Sequence, residues 1–393
     1  MTSVAKRTEW GMVIILWAIG VAAAMQFAKI SVSLDALSAY YSIGRPSAAA
    51  TLTSIGIMGI VLGAAAGTVV GAIGTRSALV IALCIGIAAS GLQAFLPSYS
   101  VLLVSRLVEG ISHLLIVVAA PTAIISFSAV QHRSLTMGLW ATFFGVAYTV
   151  SGLFANMLLT YGGLSALYAA HAVFLAALLA LFMLLKRTPV ALSKMTLGPQ
   201  MRTAWRSQFA VYRSLKTSIP ALGFFGHTLM FVALLTFLPN FGNTPDAQRL
   251  LATVLPIISI VGSFMGGIIA QKFGKALLQL IVSFAVFVGL SVFLWFSIGS
   301  PAFTAIACLT MFASGTIQAS TFAAIPELCA DEAAQAQANG AITQLGNLGA
   351  TCGTPIFALG IAVMGTGAVP LLAAAIAVLA TVMLLMCQRA LKL

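Results

Sequence analysis

A polytopic bundle of membrane-spanning helices is the fold class this sequence predicts, on three observations. Its 393 residues are 61% hydrophobic and only 7% charged. Soluble domains carry about 25% charged residues, so the chain has too little polar surface to cover a water-soluble globule. Apolar runs follow one another from Trp10 onward, each long enough to cross a bilayer as a helix of about 20 residues. A membrane β-barrel would show alternating segments of about 10 residues instead. Finally, the stretch GTVVGAIGTR, Gly67 to Arg76, has a counterpart 200 residues later in GIIAQKFGKA, Gly267 to Ala276. Gly67 aligns with Gly267 and Gly74 with Gly274, so one helix ending is written twice.

Twelve spans are expected, near 10–33, 47–73, 77–96, 100–125, 134–158, 164–185, 217–240, 248–271, 276–298, 302–325, 338–362 and 369–388. The first is too long for the apolar region of a signal peptide and is followed by others, so it reads as structure. The net charge of +12 would suggest nucleic acid in a soluble protein, but its placement excludes that. Lys6, Arg7, Arg76, Arg133, Lys272, Lys275, Arg389, Lys392 and the basic residues of 186–216 all fall on the N-terminal side of the spans. Only Arg45 and Arg249 fall on the other. This asymmetry predicts cytoplasmic termini and a cell (inner) membrane.

Residues 186–216 carry seven Lys/Arg and no Asp or Glu. They read as a cytoplasmic linker between an N-terminal six-helix half, 1–185, and a C-terminal half, 217–393. Trp205, Phe209 and Tyr212 there are placed to form one face of a short surface helix, with a solvated linker as the equal competitor. Each repeat copy then falls at the linker-side end of the second span of its half. Glycine at such a place lets two helix backbones approach closely, so Gly67 and Gly267 are expected at equivalent helix–helix contacts.

The two copies also carry a family signature. With Gly67, Gly74 and Arg76 in the first copy, Gly267, Lys272 and Gly274 in the second, and Arg106-Leu-Val-Glu-Gly110 in the fourth span, the chain resembles the major facilitator superfamily of transporters. The family's loop signature is Gly-x-x-x-Asp-Arg-x-Gly-Arg-Arg. Gly71 and Gln271 replace its Asp, which removes the charge contacts expected to latch the inner gate. The resemblance implies two pseudo-symmetric six-helix halves, alternating access and no catalysed reaction. It also implies that the first, fourth, seventh and tenth spans line the central cavity. The fifth span lacks the Gly-Pro motif of drug antiporters; the Ser105–Thr122 stretch resembles the cyanate and small-anion permease branch.

An ionisable residue at bilayer depth is a functional hypothesis by default. The first span carries Gln26 and Lys29, three residues apart on one face. The fourth carries Arg106, Glu109 and His113 at i, i+3 and i+7, again one stripe. The seventh carries His227 and the tenth Ser314 and Gln318. Lys29 and Arg106 are expected to supply positive charge, and Arg106 with Glu109 to handle a proton. Two competing readings are that Arg106 and Glu109 merely satisfy each other, and that Lys29 snorkels to the headgroups. Gln26, His113, Tyr148, His227, Gln318 and Asn347 complete the expected substrate site, with packed histidines as the competitor for His113 and His227. In the fifth span Trp140, Tyr148 and Asn156 recur near one face; in the eleventh, Gln344, Asn347 and Thr351 do so. His171 reads as structural. Glu327, Asp331 and Glu332 read as a solvated acidic turn, and the five scattered cysteines as buried, inert thiols.

The expected function is a secondary active transporter of a small solute, an organic or inorganic anion, with a coupling proton and with the bilayer as the other partner. The competing reading is a proton-coupled exporter of amphipathic compounds. An intramembrane enzyme would need converging nucleophile or metal residues, which are not seen; a transport-dead sensor is not excluded. No nucleotide fingerprint, cofactor or metal-ligand spacing is present, and a functional monomer is expected.

Overall fold

The computed structural model describes residues 7–185 and 208–392. The surface helix expected around Trp205 lies mostly outside them. Among the described residues, twelve helices are long and apolar enough to cross a membrane and there is no strand. A buried backbone without water must bond internally, and helices do so along their length, leaving only their ends to be capped.

In chain order the helices are α1 (Trp10–Ser31), the short α2 (Leu34–Tyr41), α3 (Arg45–Ile73), α4 (Thr75–Ala94), α5 (Tyr99–Phe127) and α6 (Arg133–Ala141). They continue with α7 (Phe143–Leu185), α8 (Leu215–Phe237), α9 (Pro245–Phe273), α10 (Ala276–Ser297), α11 (Phe303–Leu328), α12 (Glu332–Met364) and α13 (Ala368–Leu391). Where a span must stop and reverse at once, glycine takes the left-handed conformation: φ is 81° at Gly74 after α3 and 64° at Gly274 after α9. Side chains rarely adopt that region, so both repeat copies keep glycine there. Gly163 (φ 63°) breaks α7 into the ends of the fifth and sixth spans. At the head of α9, the Thr244 side chain accepts the Ala247 N–H at 3.1 Å, with Pro245 in the first turn.

The chain packs into two compact units that do not coincide with the two halves of the sequence. The first comprises the described residues up to Ala129, those within Phe143–Ala210, and Asp331–Thr343; the second comprises Val130–Thr142, those from Val211 to Ala330, and Gln344 onward. The opening of the fifth span, α6, therefore belongs to the second unit, and the opening of α12 to the first. The fifth span is also broken at Thr142, whose hydroxyl turns back to the Leu139 carbonyl at 2.7 Å. This corrects the expected single face of Trp140, Tyr148 and Asn156: Trp140 and Tyr148 sit in different units.

These exchanged openings explain the repeated glycines. In the first unit a Cβ on Gly67 would lie 2.5 Å from the Ala336 carbonyl oxygen, and one on Gly340 would lie 3.0 Å from Gly67 Cα. In the second, a Cβ on Gly267 would lie 2.6 Å from Gly138 Cα. Gly67 and Gly267 are 200 residues apart; Gly138 and Gly340 are 202 apart. The same glycine-on-glycine crossing is thus built once in each unit. Two further expectations are corrected nearby. Glu327 accepts the N–H groups of Ala276 (2.6 Å) and Leu277 (3.3 Å), capping α10, and Glu332 accepts the Thr75 hydroxyl at 2.9 Å. Helix starts leave such N–H groups unpaired, so these carboxylates do structural work and are not a solvated turn. Among the cysteines only Cys329 is buried, while Cys84 is exposed on α4.

Candidate functional site

The charged residues of the spans converge inside the first unit. Lys29 on α1 is buried, and its ammonium donates to Glu109 Oε1 (2.6 Å), Gln93 Oε1 (2.7 Å) and Ser90 Oγ (3.0 Å). Three N–H groups thus meet three acceptors. His171 Nδ1 stands 3.4 Å away, and the Tyr168 ring lies under the ammonium at 5.4 Å. The snorkelling reading of Lys29 is thereby excluded: its head is 2% exposed and carries an ion pair.

Arg106 on α5 pairs with Glu109 Oε2 one turn along the same helix. It donates further to the backbone oxygens of Gln26 on α1 (2.8 Å) and Thr51 on α3 (3.3 Å). Glu109 also accepts from Gln93 Nε2 (2.9 Å) and Ser90 Oγ (3.1 Å). Lys29, Arg106 and Gln93 thus fill three of the roughly four lone-pair sites of its carboxylate, and the single Ser90 hydrogen is shared between it and His171 Nδ1. Arg106 and Glu109 are both fully buried. The self-satisfied pair of the sequence reading is real but incomplete, because two cations share one carboxylate.

Geometry fixes the histidine tautomers. His171 Nε2 lies 2.9 Å from the Ala22 carbonyl. A carbonyl only accepts, so Nε2 carries the hydrogen and Nδ1 of the neutral ring accepts, here from Ser90 Oγ at 2.9 Å. His113 donates through Nδ1 to the Ala23 carbonyl at 3.0 Å. Its ring meets Phe27 edge-on at 4.9 Å, and Phe27, Phe144 and the half-buried Tyr148 continue as an aromatic row, with Tyr148 stacked on Phe144 at 5.3 Å. Gln26 Nε2 donates to Ser112 Oγ at 3.0 Å, and its Oε1 is buried without a hydrogen-bond partner.

The second unit is chemically different. His227 on α8 stacks on Phe231 at 5.0 Å and lies 5.7 Å from Phe224, and its Nδ1 is 3.3 Å from Ser314 Oγ on α11. Phe322 on α11 meets Phe224 at 5.2 Å and Trp140 at 6.5 Å. Gln318 Oε1 accepts weakly from Ser263 on α9 at 3.4 Å. Asn347 lies half-buried on α12. The described residues hold no cluster of metal-ligating side chains.

Comparison with known proteins bears on this arrangement directly. The family model described as Major Facilitator Superfamily matches residues 16–350. The chain belongs to that superfamily. Members are transporters rather than enzymes, and this one is an integral membrane protein with a small-molecule substrate. No curated protein sequence matches it. Among solved structures, the human organic anion transporter MFSD10 (TETRAN) is similar at 15% identity, with 96% of this chain and 99% of that one covered and a TM-score of 0.75. The transporter FucP in its outward conformation gives 14% identity, 95% and 98% coverage and 0.73. The proton:xylose symporter XylE, bound to 6-bromo-6-deoxy-D-glucose, gives 15% identity, 95% and 94% coverage and 0.72. At such identities the likeness is one of fold.

Within this superfamily fold, the structure gathers Gln26, Lys29, Arg106, Glu109, His113 and Tyr148 in the first unit, and places His227, Gln318 and Asn347 in the second. Sequence reading missed three members of the network. Ser90 and Gln93 lie on the third span, which carries no charge and drew no attention. His171 was read as structural, yet it touches Ser90 and Lys29. Their signal was spacing: Ser90 with Gln93, and Tyr168 with His171, stand three apart like Gln26 with Lys29.

Proposed function

We propose that this chain is a secondary active transporter that carries a small organic anion by alternating access, coupled to a proton. One observation carries the reading: the buried network of the first unit holds Lys29 and Arg106 against Glu109 alone. The network is closed to direct contact, so it acts through its field. With an effective dielectric near 20, a surplus charge at a separation of roughly 7 Å would be worth about 2 kcal/mol to an anion. Gln26, His113 and Tyr148 beside the network are the first unit's own contacts for the solute. In the second unit, taken by itself, the aromatic rings around His227, with Gln318 and Asn347, offer a surface suited to an organic body. That MFSD10, of the same fold, is an organic anion transporter agrees with this reading. The basic loops support cytoplasmic termini and an inner-membrane protein, and nothing in the reading needs more than a monomer.

The test uses carboxylates matched in shape to neutral amides and cationic amidines, such as benzoate, benzamide and benzamidine. Binding stabilises a folded protein by mass action. Carboxylates are expected to raise the unfolding temperature of the purified chain and to enter proteoliposomes that contain it. If only amidines or neutral lipophilic compounds do so, the anion reading fails. The export of amphipathic compounds, which the aromatic second unit also suits, then replaces it.

A further inference from the structure

The surplus charge of the first unit has one place to go. Lys29, Arg106 and Glu109 are each at most 2% exposed, and an unbalanced charge at bilayer depth is costly. A bound anion balances it in the loaded transporter. In the empty one the charge must leave as a proton, and only one group can release it. Arginine keeps its proton in proteins. Glu109 has none to give, and taking one would displace donors from a carboxylate already occupied by Lys29, Arg106 and Gln93. His171 and His113 satisfy their carbonyl partners as neutral rings. A proton added to His171 would set a third cation 3.4 Å from Lys29.

Resting on the proton-coupled anion reading above, we propose that Lys29 is the proton carrier: an ammonium while an anion is bound, and an amine after the anion leaves. The groups that face it allow both forms. Glu109 and Arg106 come from α5, Ser90 and Gln93 from α4, and His171 and Tyr168 from α7. The two N–H groups of an amine still reach Glu109 Oε1 and Gln93 Oε1. Its lone pair can accept the single Ser90 hydroxyl hydrogen, which in the ammonium form is shared between Glu109 Oε1 at 3.1 Å and His171 Nδ1 at 2.9 Å. The step balances: the ammonium releases one proton to water on the side where the anion leaves, and regains one with the next anion. One proton then travels with each monoanion, and no net charge crosses.

The full chain in lipid nanodiscs, labelled with ¹⁵Nζ-lysine and ¹³Cδ-glutamate, tests this by NMR without any added solute. At about pH 9 surface lysines remain largely ammonium, since their ordinary value is about 10.4. One lysine signal is expected to be that of an amine, and to vanish in Lys29→Met, which keeps the Arg106–Glu109 pair. Lys29→Gln supplies the same assignment should the first variant not fold. The Glu109 carboxylate, identified by its loss in Glu109→Asp, which keeps a carboxylate beside the two cations, is expected to stay ionised from about pH 5 to 9. Lys29 found as ammonium at pH 9, or Glu109 titrating in that window, overturns the proposal. Because no solute is present, this outcome is independent of whether carboxylates are transported.

Discussion

The two units share one framework and differ in what fills it. In the first, Gln26 on α1 bonds Ser112 on α5 at 3.0 Å; in the second, His227 on α8 meets Ser314 on α11 at 3.3 Å. These partners stand 201 and 202 residues apart, so the same junction of first and fourth spans is built twice. Counting along the helices from it sets Met230 where Lys29 stands, Met311 where Glu109 stands and Cys308 where Arg106 stands. Met230 and Met311 are fully buried. A fold of this kind therefore does not need ionised groups at these positions in order to pack. Burying an ion pair is weak evidence of a stability role, and here the apolar alternative is present in the same molecule. On the function proposed above, the charge of the first unit serves the solute, and the second unit is its internal control.

The contrast breaks most severely at Glu109. Glu109→Gln leaves Lys29 and Arg106 buried with no carboxylate, a loss of about 3–5 kcal/mol. It should show as a large fall in unfolding temperature and in recovered protein. Lys29→Met, which copies the second unit's residue and leaves a neutral Arg106–Glu109 pair, should cost much less. Equal losses would mean that Lys29 and Glu109 do not depend on each other.

What the units share is tested at the glycines. Gly67→Leu and Gly267→Leu each force a side chain into a backbone crossing, and overpacking of this kind costs about 1–3 kcal/mol. The two variants should lose stability and transport to a similar degree. Gly152→Leu, at a site where a Cβ meets nothing within 4 Å, should behave as the parent. Unequal effects at Gly67 and Gly267 would show that the repeat is not one device used twice.

A smaller difference lies at Tyr212, in the turn before α8, whose hydroxyl donates to Gln344 Oε1 at 2.7 Å. Gln344 is where α12 passes from the first unit to the second. Removing this bond in Tyr212→Phe should cost about 1 kcal/mol. Burial pushes the Tyr212 hydroxyl up to about 12, above the ordinary value of about 10. Its neutral form is therefore favoured in the folded chain. That contribution is complete below about pH 10 and is lost as pH rises through 10 to 12. Tyr212→Phe should remove this alkaline component from a stability–pH profile; an unchanged profile would place the effect elsewhere.

Much of this architecture was legible in the sequence because the bilayer imposes length and apolarity on every span. Gly74 and Gly274 were legible as a helix ending written twice, and the stripes of α1 and α5 because charges at depth are rare. The partners Gly138 and Gly340 were not, since a crossing between distant helices leaves no local pattern. Nor was the break at Thr142, which has no proline or glycine to mark it. Ser90 and Gln93 escaped for another reason: a hydroxyl and an amide in an apolar run look like ordinary helix polar groups until a cation is found to need them.

The central claim is that the surplus cation of the first unit sets the sign of the solute. The most direct measurement is the ratio of affinities for benzoate and benzamide, in the parent chain and in Lys29→Met. Removing one charge while keeping the Arg106–Glu109 pair should reduce the preference for the anion by about tenfold or more, roughly 1.4 kcal/mol. A ratio that stays the same, or a parent chain that prefers the amide, would contradict the account.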